Sequence, residues 1–62
     1  MNDVVLVFVG NGKILMVSSD YMKVIDTAED WLENNRTSVA TIQVWEDGEY
    51  VDTVEKTWKE TD

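Results

Sequence analysis

Four carboxylates stand at the spacing that places side chains on one face of a helix: Asp26, Glu29, Asp30 and Glu33, at i, i+3, i+4 and i+7. At these intervals neighbouring side chains lie about 5–6 Å apart on the helix surface. Grouped carboxylates can bind a hard cation, act as general acid and base, or imitate the phosphates that a basic nucleic-acid groove receives. A solvated helix face is the alternative that involves no ligand.

Neither metal binding nor catalysis fits the rest of the chain. A calcium or magnesium site usually wraps about six oxygens around the ion, which the convex face of a helix cannot do. Catalytic carboxylates need a cleft that shifts their pKa values, and 62 residues leave little volume for one. With no histidine and no cysteine, most nucleophile–base pairs of hydrolases are also missing. We therefore predict that the protein is not an enzyme and has no catalytic residue, metal site or cofactor.

The charge of the chain indicates a basic protein partner. Thirteen acidic residues against five basic ones give a net charge of −8, and eleven of the acids follow residue 25. Such a surface repels nucleic acid and anionic membranes and attracts basic partners, although it also keeps a protein soluble. The longest apolar run has six residues, which is too short to span a bilayer. We expect a cytoplasmic protein that contacts neither nucleic acid nor membrane directly.

The four helix carboxylates are the first candidates for binding this basic partner. A second group of candidate partner-binding residues surrounds a predicted turn at Asp47-Gly48. Acidic and aromatic residues meet there, and a further tryptophan stands in the polar C-terminal tail; the candidates are Trp45, Glu46, Asp47, Glu49 and Trp58. Aromatic side chains ringed by charge are typical interface anchors. Ordinary packing is the alternative for both tryptophans, whereas Trp31 is predicted to be a core residue.

Two apolar runs, 4–9 and 14–17, flank the dipeptide Asn11-Gly12. Asn-Gly between hydrophobic runs predicts a hairpin with a type I′ turn, because that turn needs positive φ at both central residues. The opposed residues are then Phe8 with Leu15 and Val7 with Met16. Both faces of this hairpin are apolar, which is typical of strands that are covered on both sides.

The next segment has the apolar period of a helix. Its predicted buried stripe comprises Tyr21, Val24, Ile25, Ala28, Trp31 and Leu32. Ser18-Ser19-Asp20 offers three candidate N-caps. Asn34-Asn35 is expected to end the helix, because asparagine tolerates the left-handed conformation that often follows a helix.

Residues 38–46 and 49–56 predict a second hairpin around Asp47-Gly48. A two-residue turn pairs Trp45 with Tyr50, whereas a three-residue loop with a G1 bulge pairs Trp45 with Glu49. We expect the second register, since it divides the hairpin more cleanly into an apolar and a polar face. These faces are Ala40, Ile42, Val44, Tyr50 and Val54 against Thr41, Gln43, Thr53 and Glu55.

The order ββαββ predicts one α+β domain over residues 1–62, with a four-stranded antiparallel sheet in the order 2-1-3-4 and one helix on one face. A single helix leaves the other face of the first hairpin uncovered. Exposed apolar faces of this kind usually mark an interface. We expect a homodimer through this face, which comprises Val5, Val7, Val9, Ile14 and Met16. The alternative is that the C-terminal tail with Trp58 folds over it.

In size, charge and hairpin–helix–hairpin plan, the chain resembles the small acidic proteins that bacteriophages encode to inhibit a host enzyme or defence system. The resemblance implies an inhibitor in the host cytoplasm that acts as a DNA mimic and occupies a basic, nucleic-acid-binding surface of a host protein. The alternative function is a structural or assembly protein that self-associates through its apolar sheet face.

Overall fold

The structure, a computed structural model, describes residues 3–58. These residues form one four-stranded antiparallel sheet in the order β2-β1-β3-β4, and one helix packs on it. The elements are β1 (Val4–Gly10), β2 (Lys13–Ser18), α1 (Tyr21–Asn34), β3 (Ala40–Glu46) and β4 (Glu49–Lys56). The predicted α+β fold and its strand order are confirmed.

The hydrophobic core lies between α1 and one face of the sheet. Alternate residues of the two central strands point towards the helix, and residues one turn apart on the helix point back. The core residues are Leu6, Phe8, Val24, Ala28, Leu32, Ala40 and Ile42, each no more than 3% exposed. Trp31 packs against this core as predicted. Tyr21, the first residue of the predicted stripe, is exposed.

Side-chain caps define both ends of α1. Asp20 is the N-cap, and its carboxylate accepts a hydrogen bond from the Lys23 amide at 3.2 Å. At the other end Asn35 has φ −141°, so the expected left-handed residue is not present there. Instead the Asn35 side chain donates to the Trp31 carbonyl at 2.8 Å, and the Asn34 side chain donates to the Asp30 carbonyl at 3.1 Å. The Asn35 side chain thereby satisfies one of the last-turn carbonyls that the helix leaves unpaired.

The first hairpin has the predicted turn but a different register. Asn11 and Gly12 both have positive φ, 53° and 77°, as a type I′ turn requires. A β-bulge then inserts Leu15 as an extra residue, so that Phe8 lies opposite Met16 and not opposite Leu15. Val7 correspondingly lies opposite Val17 and not opposite Met16.

The second hairpin also has a two-residue turn, with φ of 52° at Asp47 and 82° at Gly48. Trp45 therefore pairs with Tyr50, and the expected pairing with Glu49 is wrong. A bulge between Val44 and Trp45 restores the expected division of faces further along, where Ile42 pairs with Val54. Tyr50 and Glu49 precede the bulge and change sides: Tyr50 lies with Trp45 on the side away from α1, and Glu49 lies with Glu46 on the helix side.

Candidate protein-binding surface

The face of the sheet opposite α1, called here the open face, carries a continuous aliphatic surface on its β1–β2 half. We call this surface the aliphatic strip; it comprises Val5, Val7, Val9, Ile14 and Val17, which alternation and pairing place on one side. Ile14 is 67% exposed, Val17 59% and Val5 36%. In the described part of the chain α1 and Trp58 pack against the core on the other side, so nothing covers the strip.

Met16 does not belong to this surface, although the sequence predicted it there. The bulge at Leu15 turns Met16 to the helix side, where it lies opposite Phe8 and packs against the core. Val17 takes the place that was expected for Met16. The predicted apolar face is therefore present with one residue exchanged.

The β3–β4 half of the open face is polar except at one end. Its polar residues are Thr41, Gln43, Thr53 and Glu55. At the end near the second turn, Trp45 and Tyr50 contact each other edge to face, with ring centroids 5.7 Å apart. The Trp45 indole donates to the Gln43 side chain at 3.1 Å, and the Tyr50 hydroxyl pairs with Thr53. These hydrogen bonds hold the two rings beside Val5, the cross-strand neighbour of Trp45.

Acidic residues gather at this same end of the sheet. The Asp47 amide donates to the Asp3 carbonyl at 2.8 Å, and the Asp3 amide donates to the Asp47 carboxylate, also at 2.8 Å. Glu46 and Glu49 are paired across the turn. We call this group of four (Asp3, Glu46, Asp47 and Glu49) the acidic end. Asp3 and Asp47 border Val5 and the aromatic pair, whereas Glu46 and Glu49, which are in register with Val4, project to the helix side of the sheet.

The helix carboxylates form a separate surface. Asp26, Asp30 and Glu33 are exposed on α1, and Glu29 is half-buried. Since α1 covers the other side of the sheet, these groups face away from the open face. The structure therefore brings Asp47 and Trp45 to the same end of the open face, places Glu46 and Glu49 on the opposite side of the same strands, and leaves the helix acids apart from all of them.

Trp58 is also apart from Trp45. It packs against the core on the helix side, and the Arg36 guanidinium lies 4.7 Å above its ring. The alternative in which Trp58 folds over the open face is thus wrong for this residue. The rest of the tail, residues 59–62, lies outside the described residues.

A shallow cavity of about 320 Å³ lies beside Trp58. Its lining residues are Arg36, Thr37, Ser38, Val39, Thr57 and Trp58, a set with hydroxyl groups and one guanidinium but no carboxylate. Among residues 3–58 the acidic side chains form no group that could hold a metal ion. In the same part of the chain, α1 is neither long nor apolar enough to cross a membrane.

Comparison with protein-family models, curated proteins and solved structures finds no match in any of the three. Sequence reasoning missed Val17, Tyr50 and Asp3 as members of this surface. The bulge that places Val17 there has no distinct sequence signal. Tyr50 is placed there by the two-residue turn at Asp47-Gly48, and Asp3 joins through a contact with a residue 44 positions away.

Proposed function

We propose that this protein is a small protein-binding module that inhibits a host enzyme or defence system by occupying a basic, nucleic-acid-binding surface. The observation that supports the proposal is that the aliphatic strip and the aromatic pair Trp45–Tyr50 share one side of the sheet. The acidic end lies at the edge of that side, around the second turn, where Asp3 and Asp47 contact each other. An apolar centre with aromatic anchors and a charged rim is the usual composition of a protein–protein interface.

The two kinds of surface have different roles in such a complex. Burial of the strip and of the Trp45 ring supplies most of the affinity, because apolar area removed from water contributes about 25 cal/mol per Å². The carboxylates of the acidic end accelerate encounter with a basic partner and fix its orientation. They compete there with the phosphates of the nucleic acid that the partner would otherwise bind.

The two acidic clusters lie at different distances from the strip. A flat partner surface that covers the open face reaches Asp3 and Asp47 at its edge, whereas Glu46 and Glu49 project to the other side of the same strands and the helix acids lie on the far side of the domain. We therefore assign the primary contact to Trp45 and Asp47, with Glu46 and Glu49 at the rim of the interface. Asp26, Glu29, Asp30 and Glu33 are left as a second, outward-facing surface.

The proposal is tested by retention of a partner from host lysate on the immobilised chain, at low and at high salt. One variant weakens the acidic end: Glu49→Lys together with Asp47→Asn, which keeps an acceptor for the Asp3 amide. A matched variant changes the helix, Asp26→Lys with Asp30→Asn, and so removes the same charge.

We expect the wild-type chain to retain a basic protein at low salt and to lose it at high salt, since screening weakens exposed charge pairs. The acidic-end variant should lose this protein, the helix variant should keep it, and the wild-type chain should block its binding to nucleic acid. Equal retention by the acidic-end variant, or retention that leaves nucleic-acid binding intact, would contradict the proposal.

A further inference from the structure

We infer that the aliphatic strip binds an amphipathic helix of the partner, with basic residues on the polar side of that helix. This inference rests on the proposed function and names the structural element that the open face receives. Three observations support it: the dimensions of the strip, the packing of α1 on the same strands, and the distribution of charge along the strip.

The strip has the dimensions of a single helix. Two strands about 4.8 Å apart make it roughly 10 Å wide, and the five positions of β1 from Val5 to Val9, at about 3.3 Å each, make it roughly 16 Å long. A helix is about 10–12 Å in diameter, and 14 residues of it span about 21 Å. One helix of that length covers the strip without reaching the polar β3–β4 half.

The molecule already contains this arrangement on its other side. Helix α1, with 14 residues, packs on β1 and β2 through Val24, Ala28 and Leu32. A strand that is apolar on both faces is typical of a sheet with helices on both sides. A helix on the open face would complete that arrangement for β1, whose Val5, Val7 and Val9 have no cover among the described residues.

The charges of the chain favour a basic helix and predict the direction in which that helix binds. The chain carries −8 overall, and the acidic end lies where β1 begins, beside Val5. Lys13 is at the opposite end of the strip, where β2 begins. Because the N-terminus of a helix carries a partial positive charge, the bound helix should place its N-terminus and its basic residues near Asp3 and Asp47.

A second copy of the chain fits the strip less well than a basic helix. The two sheets of such a dimer would lie about 10 Å apart. This distance is close to the Debye length of about 8 Å at physiological salt. Screening is therefore incomplete, and two chains of charge −8 repel each other. A stacked sheet would also cover the polar half and bury Gln43, Thr53 and Glu55. A single helix avoids both costs.

The experiment uses synthetic 14-residue helical peptides and the isotope-labelled full chain. The probe has leucines on one face and lysines on the other, with the lysines concentrated towards its N-terminus. One control peptide has the same composition without the apolar face, and a second replaces lysine by glutamate. NMR titration gives the dissociation constant and the residues whose signals shift.

We expect the probe to shift signals of β1 and β2 and to bind at least about tenfold more tightly than either control. Ile14→Asp and Val17→Asp, at exposed positions that the fold does not need, should weaken the probe about tenfold or more. Met22→Asp, at a position of α1 that is 63% exposed, should leave its affinity unchanged and controls for the added charge.

Two results would overturn the inference. Equal binding of the composition control, with shifts on α1, would show that charge alone attracts the peptide. Sedimentation of the free chain as a dimer that Ile14→Asp dissociates would show that a second copy occupies the strip. If the lysate partner is retained but the probe does not bind, only this inference fails. If the probe binds and no partner is retained, the proposed function fails.

Discussion

Gly10→Ala is expected to destabilise the fold, because the Trp31 indole occupies the space that a side chain would need. A Cβ built at Gly10 lies 2.6 Å from Trp31 Cζ2 and 2.8 Å from Leu15 Cδ1. Ordinary contacts begin at 3.4 Å, so the indole must retreat by about 0.8 Å. It cannot do so freely, since its ring also packs edge to face on the buried Phe8 at 5.6 Å.

The magnitude follows from two opposing terms. Overpacking of a closed core costs about 1–3 kcal/mol, and replacing a strand glycine by alanine returns about 0.5–1 kcal/mol. The middle values of these ranges, about 2 and about 0.75 kcal/mol, leave a net loss of unfolding free energy of about 1 kcal/mol. For a domain of this size, that lowers Tm by about 4–8 °C.

Thermal unfolding followed by circular dichroism measures this loss. Trp31→Phe in the Gly10→Ala background supplies the control, because the smaller ring leaves room for the added methyl group. The two changes should therefore be strongly non-additive, with the double variant more stable than the sum predicts. A Gly10→Ala chain as stable as the wild type, or a cost that Trp31→Phe does not reduce, would refute the packing argument.

Three further substitutions test the caps and turns. Asp20→Ala removes the acceptor of the Lys23 amide and should lower the unfolding free energy by about 1 kcal/mol in urea titrations; no change would refute its role as N-cap. Gly48→Ala places a side chain at φ 82° and should cost about 1–2 kcal/mol, whereas an unchanged Tm would contradict the type I′ turn. Glu49→Lys converts the like-charge pair with Glu46 into an attractive one and should stabilise the fold by about 0.2–1 kcal/mol, a gain that salt reduces; a loss of stability would contradict the pairing.

The fold was predictable because local signals agree with one another. Asn11-Gly12 and Asp47-Gly48 fix two hairpins, and the helical period between them fixes α1. Antiparallel hairpins joined by one helix then leave β1 in the interior of the sheet. Each of these signals operates over a few residues, which is why sequence alone could reach the strand order.

The registers were not predictable, because the strands that contain bulges have adjacent apolar residues that suit either face of the sheet. Residues 14–17 are all apolar. Their sequence therefore has no alternation of apolar and polar residues that would indicate that Leu15 and Met16 both point to the helix side. The space above Gly10, where Leu15 and the Trp31 indole meet, depends on residues far apart in sequence. In β4, Tyr50 and Val51 are likewise both apolar, and turn geometry decided the register against the facial pattern.

The candidate surface was predictable in its parts but not in its arrangement. The apolar open face and the acidic residues could be named from the sequence. That Asp3 and Asp47 border this face, whereas Glu46, Glu49 and the helix acids lie on the other side, depends on the strand registers and on which face α1 covers. The contact between Asp3 and Asp47 likewise exists only in the assembled sheet.

The most direct test of the central claim is the NMR footprint of the retained partner on the labelled chain. Burial of the strip predicts that the methyl signals of Val5, Val7, Ile14 and Val17 shift or broaden, together with the Trp45 indole signal. Signals from the outer surface of α1, including Asp26 and Asp30, should stay in place. A footprint confined to α1 or to the outer edge of β4, with the strip methyls unchanged, would contradict the assignment of the open face as the binding surface.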